Sequence, residues 1–304
     1  MSASECALLI VNASAGWDKK SEVPALTREI LQRRGIGCTV KKVEAGADIG
    51  SIAADAVRAG VGYVIAGGGD GTMRAVAQAL AGTDATLGVL PVGTLNHFAR
   101  DLDIPLELSR AVEVAGAGVT AEVDVGEVNG RVFINNVVLG LYPIYRFERD
   151  ARERGGWGRL SMVLGALGIL WRYPVVTVRL SVEGRERNYR TPLIAICNNE
   201  HAMEGSKPWQ RQRLREGKLW IYVLRDRSRW GMARVLANIL LGRFKSKEEF
   251  DVLRAAEVTV EARGRFLGVS IDGEVLKMRS PLLFRSRPRA LRVMVPEGSS
   301  KVDA

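Results

Sequence analysis

The residues whose types and spacing could do chemistry begin with Gly67-Gly68-Gly69-Asp70-Gly71-Thr72. The run follows Tyr63-Val64-Ile65-Ala66 and precedes the helix-favouring Met73–Leu80, so the order reads strand, glycine loop, helix. Glycine tolerates positive φ and has no Cβ, which lets such a loop wrap its backbone N–H groups around an anion. The helix start beyond it adds unpaired N–H donors and a favourable dipole. A tight strand-to-helix turn is the plainer use of the same glycines. Asp70 sharpens the anion reading, because an acid inside an anion cradle calls for a cation. A nucleotide phosphate carrying Mg²⁺ satisfies both.

Two further segments carry usable groups. In Gly93-Thr94-Leu95-Asn96, Gly93 permits close backbone approach, and the Thr94 hydroxyl and Asn96 amide have the reach to bind a phosphate or ribose. Thr and Asn are also favoured helix N-caps, so a capping role stands beside the ligand role. Ile271-Asp272-Gly273-Glu274 lies between two strand-like runs, and Asp-Gly is a common hairpin signal. Glu274 flanks that turn. A phosphotransferase acting on an alcohol needs a carboxylate to accept or orient the hydroxyl proton, and Glu274 is of the right type. The two histidines, His97 and His201, have no Gly-x-Ser-x-Gly elbow to work with. Nor is there a Gly-x-x-x-x-Gly-Lys-Ser/Thr loop, so serine-hydrolase and P-loop readings drop out.

The elements that must position these groups follow from the pattern. Cys6–Val11, Cys38–Val43, Val61–Ala66 and Leu87–Leu90 read as short buried strands, with helices expected over Pro24–Arg34, Ile49–Ala59 and Met73–Leu80. Such alternation argues for a parallel sheet covered on both faces, and ligands of such sheets sit beyond the carboxyl ends of the strands. Asn12–Gly16, Gly67–Thr72 and Pro91–Asn96 all fall at those ends. From about Ala121 strand-like runs follow one another: Ala121–Val128, Val132–Val138, Val175–Leu180, Arg187–Arg190, Leu193–Asn198 and Leu219–Leu224. They resume at Glu257–Ala262, Phe266–Ile271, Leu282–Phe284 and Leu291–Val295, with Gly184 and Gly264 where hairpin turns would fall. The expected fold is α/β plus β: an N-terminal parallel-sheet nucleotide-binding domain over residues 1–125, then a mainly antiparallel β-sandwich domain over 126–304. Helical stretches are expected over Arg146–Arg172, apolar from Leu160 to Trp171, and over Trp230–Leu241, with a frayed tail at Glu297–Ala304.

Composition bounds the rest. The chain has 304 residues and 47% apolar side chains, enough for two cored domains. It has no apolar run of the length a transmembrane helix needs, and Met1–Glu5 with Cys6–Val11 reads as a first strand, not a signal peptide. Cys6, Cys38 and Cys197 form neither a disulfide framework nor a metal-ligand spacing. A cytoplasmic location follows, with peripheral contact at the inner membrane face. Residues 1–125 carry 11 Lys+Arg against 15 Asp+Glu, and residues 126–304 carry 33 against 19, a net of −4 and +14 that sums to +10. The basic half suggests an anionic partner such as a phospholipid surface, or else simply solvated arginines. Little aromatic interleaving accompanies it, which weighs against nucleic acid. A second copy of the chain is the remaining partner expectation.

Taken together, Gly67–Thr72, Pro91–Arg100 and Ile271–Glu274, in this order and at these separations, resemble the diacylglycerol kinase catalytic-domain family, which includes bacterial lipid kinases and sphingosine kinases. Asn12–Gly16 is similar to that family's Asn-Pro-x-Ser/Ala-Gly motif, with Ala13 in place of proline. The resemblance implies an ATP-dependent lipid kinase with its active site between an α/β domain and a β-sandwich. It implies that Asn12, Ser14, Gly16, Gly67, Gly68, Gly69, Gly71, Thr72 and Thr94 hold ATP phosphates, with Gly93 and Asn96 in the adjoining loop. Asp70 would act through the nucleotide Mg²⁺ or by positioning, and Glu274 as general base toward a diacylglycerol-like or sphingoid hydroxyl, with Asp272 beside it. Glu216, in Arg213–Leu219, falls where some bacterial members bind a structural Mg²⁺ through aspartate, and His97 and Glu44 are further departures from the family pattern. NAD kinases share the glycine loop, but their Thr-Gly-Ser-Thr-Ala-Tyr segment has no counterpart here. A lipid- or nucleotide-binding regulator without activity is the other alternative.

Overall fold

A computed structural model describes residues 6–12, 23–44, 46–140, 175–202, 210–211, 213–226, 228, 231, 249–299 and 301–302. Ser14 and Gly16 lie outside the described residues, as do the stretches 146–172 and, Gly231 apart, 230–241. The chain forms two compact units, one of residues 1–125, 211–217 and 287–304, the other of residues 126–210 and 218–286. Residues 211–217 and 287–304, which the sequence assigns to the second domain, thus pack with the first.

The first unit alternates strand and helix: β1 (Cys6–Asn12), α1 (Val23–Arg33), β2 (Gly37–Val43), α2 (Ile49–Arg58), β3 (Tyr63–Gly68), α3 (Asp70–Leu80) and β4 (Thr86–Pro91). Two helices close it, α4 (His97–Asp101) and α5 (Leu108–Ala117), before β5 (Val119–Val128). The strands are parallel in the order β2-β1-β3-β4. β1, β3 and β4 are buried almost throughout, as strands covered on both faces must be, while β2 at the edge is largely exposed. Helices pair as α1 with α5 and α2 with α3. A Cβ on Gly116 of α5 would lie 2.2 Å from the Ile30 side chain of α1, so glycine sets how closely that pair approaches. Tyr63 at the base of β3 donates its phenol to the Ala115 carbonyl, and burial raises its ionisation well above the usual tyrosine range.

The second unit contains β6 (Arg131–Phe133), β7 (Asn136–Leu139), β8 (Val176–Val182), β9 (Arg185–Thr191), β10 (Ile194–Asn198), β11 (His201–Ala202) and β13 (Leu219–Leu224). The short β12 (Gln210–Arg211) pairs with β11. β14 (Phe250–Ala255), β15 (Glu257–Ala262), β16 (Phe266–Ile271) and β17 (Glu274–Arg279) follow, and β18 (Leu282–Val295) ends the chain's strands. One sheet runs β14-β13-β10-β7-β16-β17, antiparallel throughout. Opposite it, β9, β8, β15 and the start of β18 form antiparallel pairs. Val137, Ile194, Ile221 and Val269 from the first sheet pack with Leu180, Val260 and Phe284 from the second in one core, which makes the sandwich.

Several expectations are corrected. Val132–Val138 is two strands, β6 and β7, with a bend between them, and β14 is a strand the sequence pattern did not reveal. Leu282–Phe284 and Leu291–Val295 belong to a single strand, β18. Its middle, Arg285–Arg289, is polar and holds Pro288 and a positive φ of 51° at Arg289, which disguises the continuity. Its start pairs with β15 and its end runs parallel to β4. The Glu183-Gly184 turn is a hairpin with positive φ at both residues, but Gly264 is not in one, since β15 and β16 belong to different sheets. The tail is not frayed through Val302: Val302 is buried, Ser299 Oγ donates to Asp103, and Lys301 pairs with Asp103 at 2.8 Å.

Candidate active site

In the first unit the three strand ends come together. Asn12 at the end of β1 donates from Nδ2 to Thr72 Oγ1 in the first turn of α3, at 3.2 Å. The N–H groups of Val92 and Gly93, just past β4, donate to the Gly68 carbonyl at 3.1 and 3.2 Å. The two glycine loops pack backbone to backbone: a Cβ on Gly93 would stand 2.4 Å from the Gly69 Cα, and one on Gly68 2.3 Å from Thr72 Oγ1. Side chains are excluded there by contact, not by turn geometry, because none of these glycines has a positive φ. Gly71 differs, since a Cβ there would meet nothing within 4 Å.

The loop is shorter than its sequence suggests. Gly67 and Gly68 end β3, Gly69 is the N-cap of α3, and Asp70 is already helical. No side chain caps α3, which leaves its first turn with the donor character that suits an anion. Asp70 is engaged with the neighbouring loop. Its Oδ2 accepts the N–H of His97 at 3.2 Å and its Oδ1 that of Phe98 at 3.0 Å. Asn96 holds the N-cap position of α4 in the left-handed region (φ 51°) but makes no capping bond; its Nδ2 donates to the Gly93 carbonyl at 2.8 Å. Asp70 therefore caps α4 from across the site, and the acid in the anion loop is balanced by two N–H donors even before any cation. A carboxylate offers about four lone-pair sites, so two remain. Thr94 is exposed beside Gly93.

A buried pair that sequence reading did not reveal supports this arrangement. Arg211 donates from its backbone N–H and Nε to the two oxygens of Asp101, at 3.0 and 2.7 Å, with side chains 1% and 2% exposed. The same guanidinium lies 5.8 Å from the centre of the Phe98 ring. Asp124, also buried, accepts the N–H of Gly217 at 2.7 Å and of Arg289 at 2.8 Å. It thereby fixes the turn beside Glu216. No group of three His, Cys, Asp or Glu side chains able to hold a metal forms at Glu216 or elsewhere among the described residues.

In the second unit Asp272-Gly273 is a hairpin turn with φ of 47° and 88°, joining β16 to β17, with Glu274 opposite Ile271. The Asp272 carboxylate accepts three backbone N–H groups: Ile134 at 2.8 Å, Asn135 at 2.8 Å and Asn136 at 3.0 Å. Its own N–H donates to the Asn136 carbonyl at 2.9 Å. These bonds hold the bend between β6 and β7 and set the turn that carries Glu274. Asp272 thus fixes the turn, and Glu274 is exposed at the start of β17.

The fold has solved counterparts. A solved structure described as a diacylglycerol kinase from Bacillus anthracis matches with a TM-score of 0.71 at 19% identity, covering 98% of this chain and 100% of that one. Residues 6–128 match the diacylglycerol kinase catalytic domain, and residues 148–295 match the YegS C-terminal NAD kinase beta sandwich-like domain. A Pseudomonas aeruginosa protein named "Probable lipid kinase YegS-like" is 32% identical over 254 residues, 83% of this chain and 82% of its own length. The Bacillus subtilis diacylglycerol kinase is 26% identical over 296 residues, 96% of each chain. The chain belongs to the diacylglycerol kinase catalytic-domain family, and its relatives' names imply a kinase.

Proposed function

We propose that this protein transfers the γ-phosphoryl group of ATP to a hydroxyl of a diacylglycerol-like or sphingoid lipid. The observation that carries the nucleotide half is the joining of Asn12, the Gly67–Thr72 run and Gly93 at the carboxyl ends of three parallel strands. The residues fit a phosphate: an uncapped helix start, glycines in backbone contact, and open space over Gly71. They also fit a cation carried by the nucleotide. Mg²⁺ is commonly held by one or two carboxylates with substrate phosphates, and Asp70 keeps lone pairs for it. Bound there, Mg²⁺ would neutralise charge developing on the transferred group. Asp70 holds α4 and so keeps the Gly93–Asn96 loop against the glycine loop. Thr94, exposed at that loop, offers a hydroxyl to the phosphates. Glu274 accepts the proton of the acceptor hydroxyl, from a turn that Asp272 fixes.

The test is phosphorylation of a lipid panel by purified protein with radiolabelled ATP, beside an assay for NADP⁺ formation from NAD⁺. A labelled lipid with no NADP⁺ is the expected result. NADP⁺ formation, or nucleotide binding without transfer to any acceptor, would replace this reading by one of its alternatives.

A further inference from the structure

The β16–β17 hairpin carries Glu274 at its turn and an unusual surface at its open end. Phe266, 58% exposed, is the most exposed of the large apolar side chains among the described residues. Arg279 stands directly across from it in the strand register, and Lys277 stands across from Gly268, two residues further along. Strand alternation puts Phe266, Lys277 and Arg279 on one face of the hairpin, while Leu267, Val269 and Ile271 point into the core. The Arg265 guanidinium lies 5.8 Å from the centre of the Phe266 ring, and Arg263 is exposed two residues before it. None of Arg263, Arg265, Lys277 and Arg279 makes an ion pair among the described residues, whereas exposed Arg179, Arg225 and Arg285 each do.

We propose that this end of the hairpin is a docking surface for an anionic phospholipid bilayer. Cations without acidic partners are attracted to the negative surface potential of anionic lipids, about five-fold in affinity for each charge. A lone aromatic ringed by them enters the headgroup region, where its apolar face leaves water. A single ring does not make the succession of stacking platforms that single-stranded nucleic acid uses, so charge and shape together favour the membrane. The site is distinct from the nucleotide loops. It deepens the proposed function and rests on it for one point only, that the acceptor is a membrane lipid. β17 places Glu274 roughly 17 Å from Arg279 along the strand, at about 3.3 Å per residue.

Flotation of the purified protein tests this, with vesicles of phosphatidylcholine alone and of phosphatidylcholine and phosphatidylglycerol in equal parts. The wild type should float with the mixed vesicles only, and less as salt rises. Phe266→Ser should weaken that binding about ten-fold. Arg265→Gln with Lys277→Gln and Arg279→Gln should weaken it about a hundred-fold. All variants should keep the wild-type melting temperature and phosphorylate a short-chain, water-soluble acceptor at the wild-type rate. The proposal is overturned if the wild type does not float, if it floats equally with both vesicles, or if the variants float like the wild type. Tighter salt-sensitive binding to RNA than to the mixed vesicles would also overturn it. Flotation as expected in a protein that phosphorylates no lipid would sink the proposed function and leave the docking surface standing.

Discussion

The Asp70 carboxylate accepts the backbone N–H of Phe98 at 3.0 Å, so an acid of the glycine loop is the cap of the next loop's helix. One side chain thus holds the two glycine loops in register and keeps lone pairs that a cation could use. Asp70→Asn separates these functions only partly, because its amide oxygen can replace one accepted bond but its NH₂ group opposes the other donor. Stability should fall by about 1 kcal/mol, the usual scale of a lost cap. Transfer should fall far more, by about a hundred-fold or beyond. Thermal melting and initial rates on the same preparation check this, and equal proportional losses would reduce Asp70 to a cap.

Two glycines in the same site should differ in how alanine affects stability. At Gly93 the added methyl would strike the Gly69 backbone at 2.4 Å, which cannot yield without parting the loops. Gly93→Ala should lower both melting temperature and nucleotide affinity. Gly71 sits in the first turn of α3 with open space around its Cβ position. Alanine there should leave the fold as stable or up to about 1 kcal/mol more stable, since alanine is the better helix former. Nucleotide affinity should nonetheless drop, because the methyl enters the space assigned to the phosphates. Calorimetric titration with ATP beside melting curves reads both effects; an unchanged affinity for Gly71→Ala would move the phosphates elsewhere.

The Asp101–Arg211 pair is a buried ion pair with its hydrogen bonds made, and removing one partner should leave a stranded charge. Arg211→Met alone should cost roughly 3–5 kcal/mol. Adding Asp101→Leu should recover much of that loss, because an apolar pair of similar volume avoids the desolvation cost. Urea unfolding of the two variants decides it. A single variant no worse than a surface ion pair, about 1 kcal/mol or less, would contradict the burial seen here.

Much of the first unit's fold was legible because its signals are local. The order strand, glycines, helix stands within a short run, and the alternation of elements places three such ends on one edge of a sheet. What was not legible depends on partners far along the chain. Asp101 and Arg211 are 110 positions apart, and no local pattern marks either as buried. Asp272 was readable as a turn residue, but its three N–H donors come from Ile134–Asn136, and nothing in Asp-Gly announces them. Asn96 was read as a ligand or a cap; it stands at the N-cap of α4 without a capping bond, and its Nδ2 shapes the Gly93 turn while Asp70 does the capping. β18 was read as two strands because its Arg285–Arg289 centre lacks the apolar alternation that marks both ends.

The central claim is that Glu274 accepts the acceptor's proton from a turn built by Asp272. The most direct measurement is transfer of label from ATP to lipid by Glu274→Gln and by Asp272→Asn, each with its melting temperature and ATP affinity. Glu274→Gln should melt and bind ATP like the wild type while transfer falls by about a hundred- to ten-thousand-fold. Asp272→Asn should lose stability, by about 1–3 kcal/mol, as the Ile134–Asn136 donors lose their carboxylate. Wild-type turnover in Glu274→Gln would contradict the account.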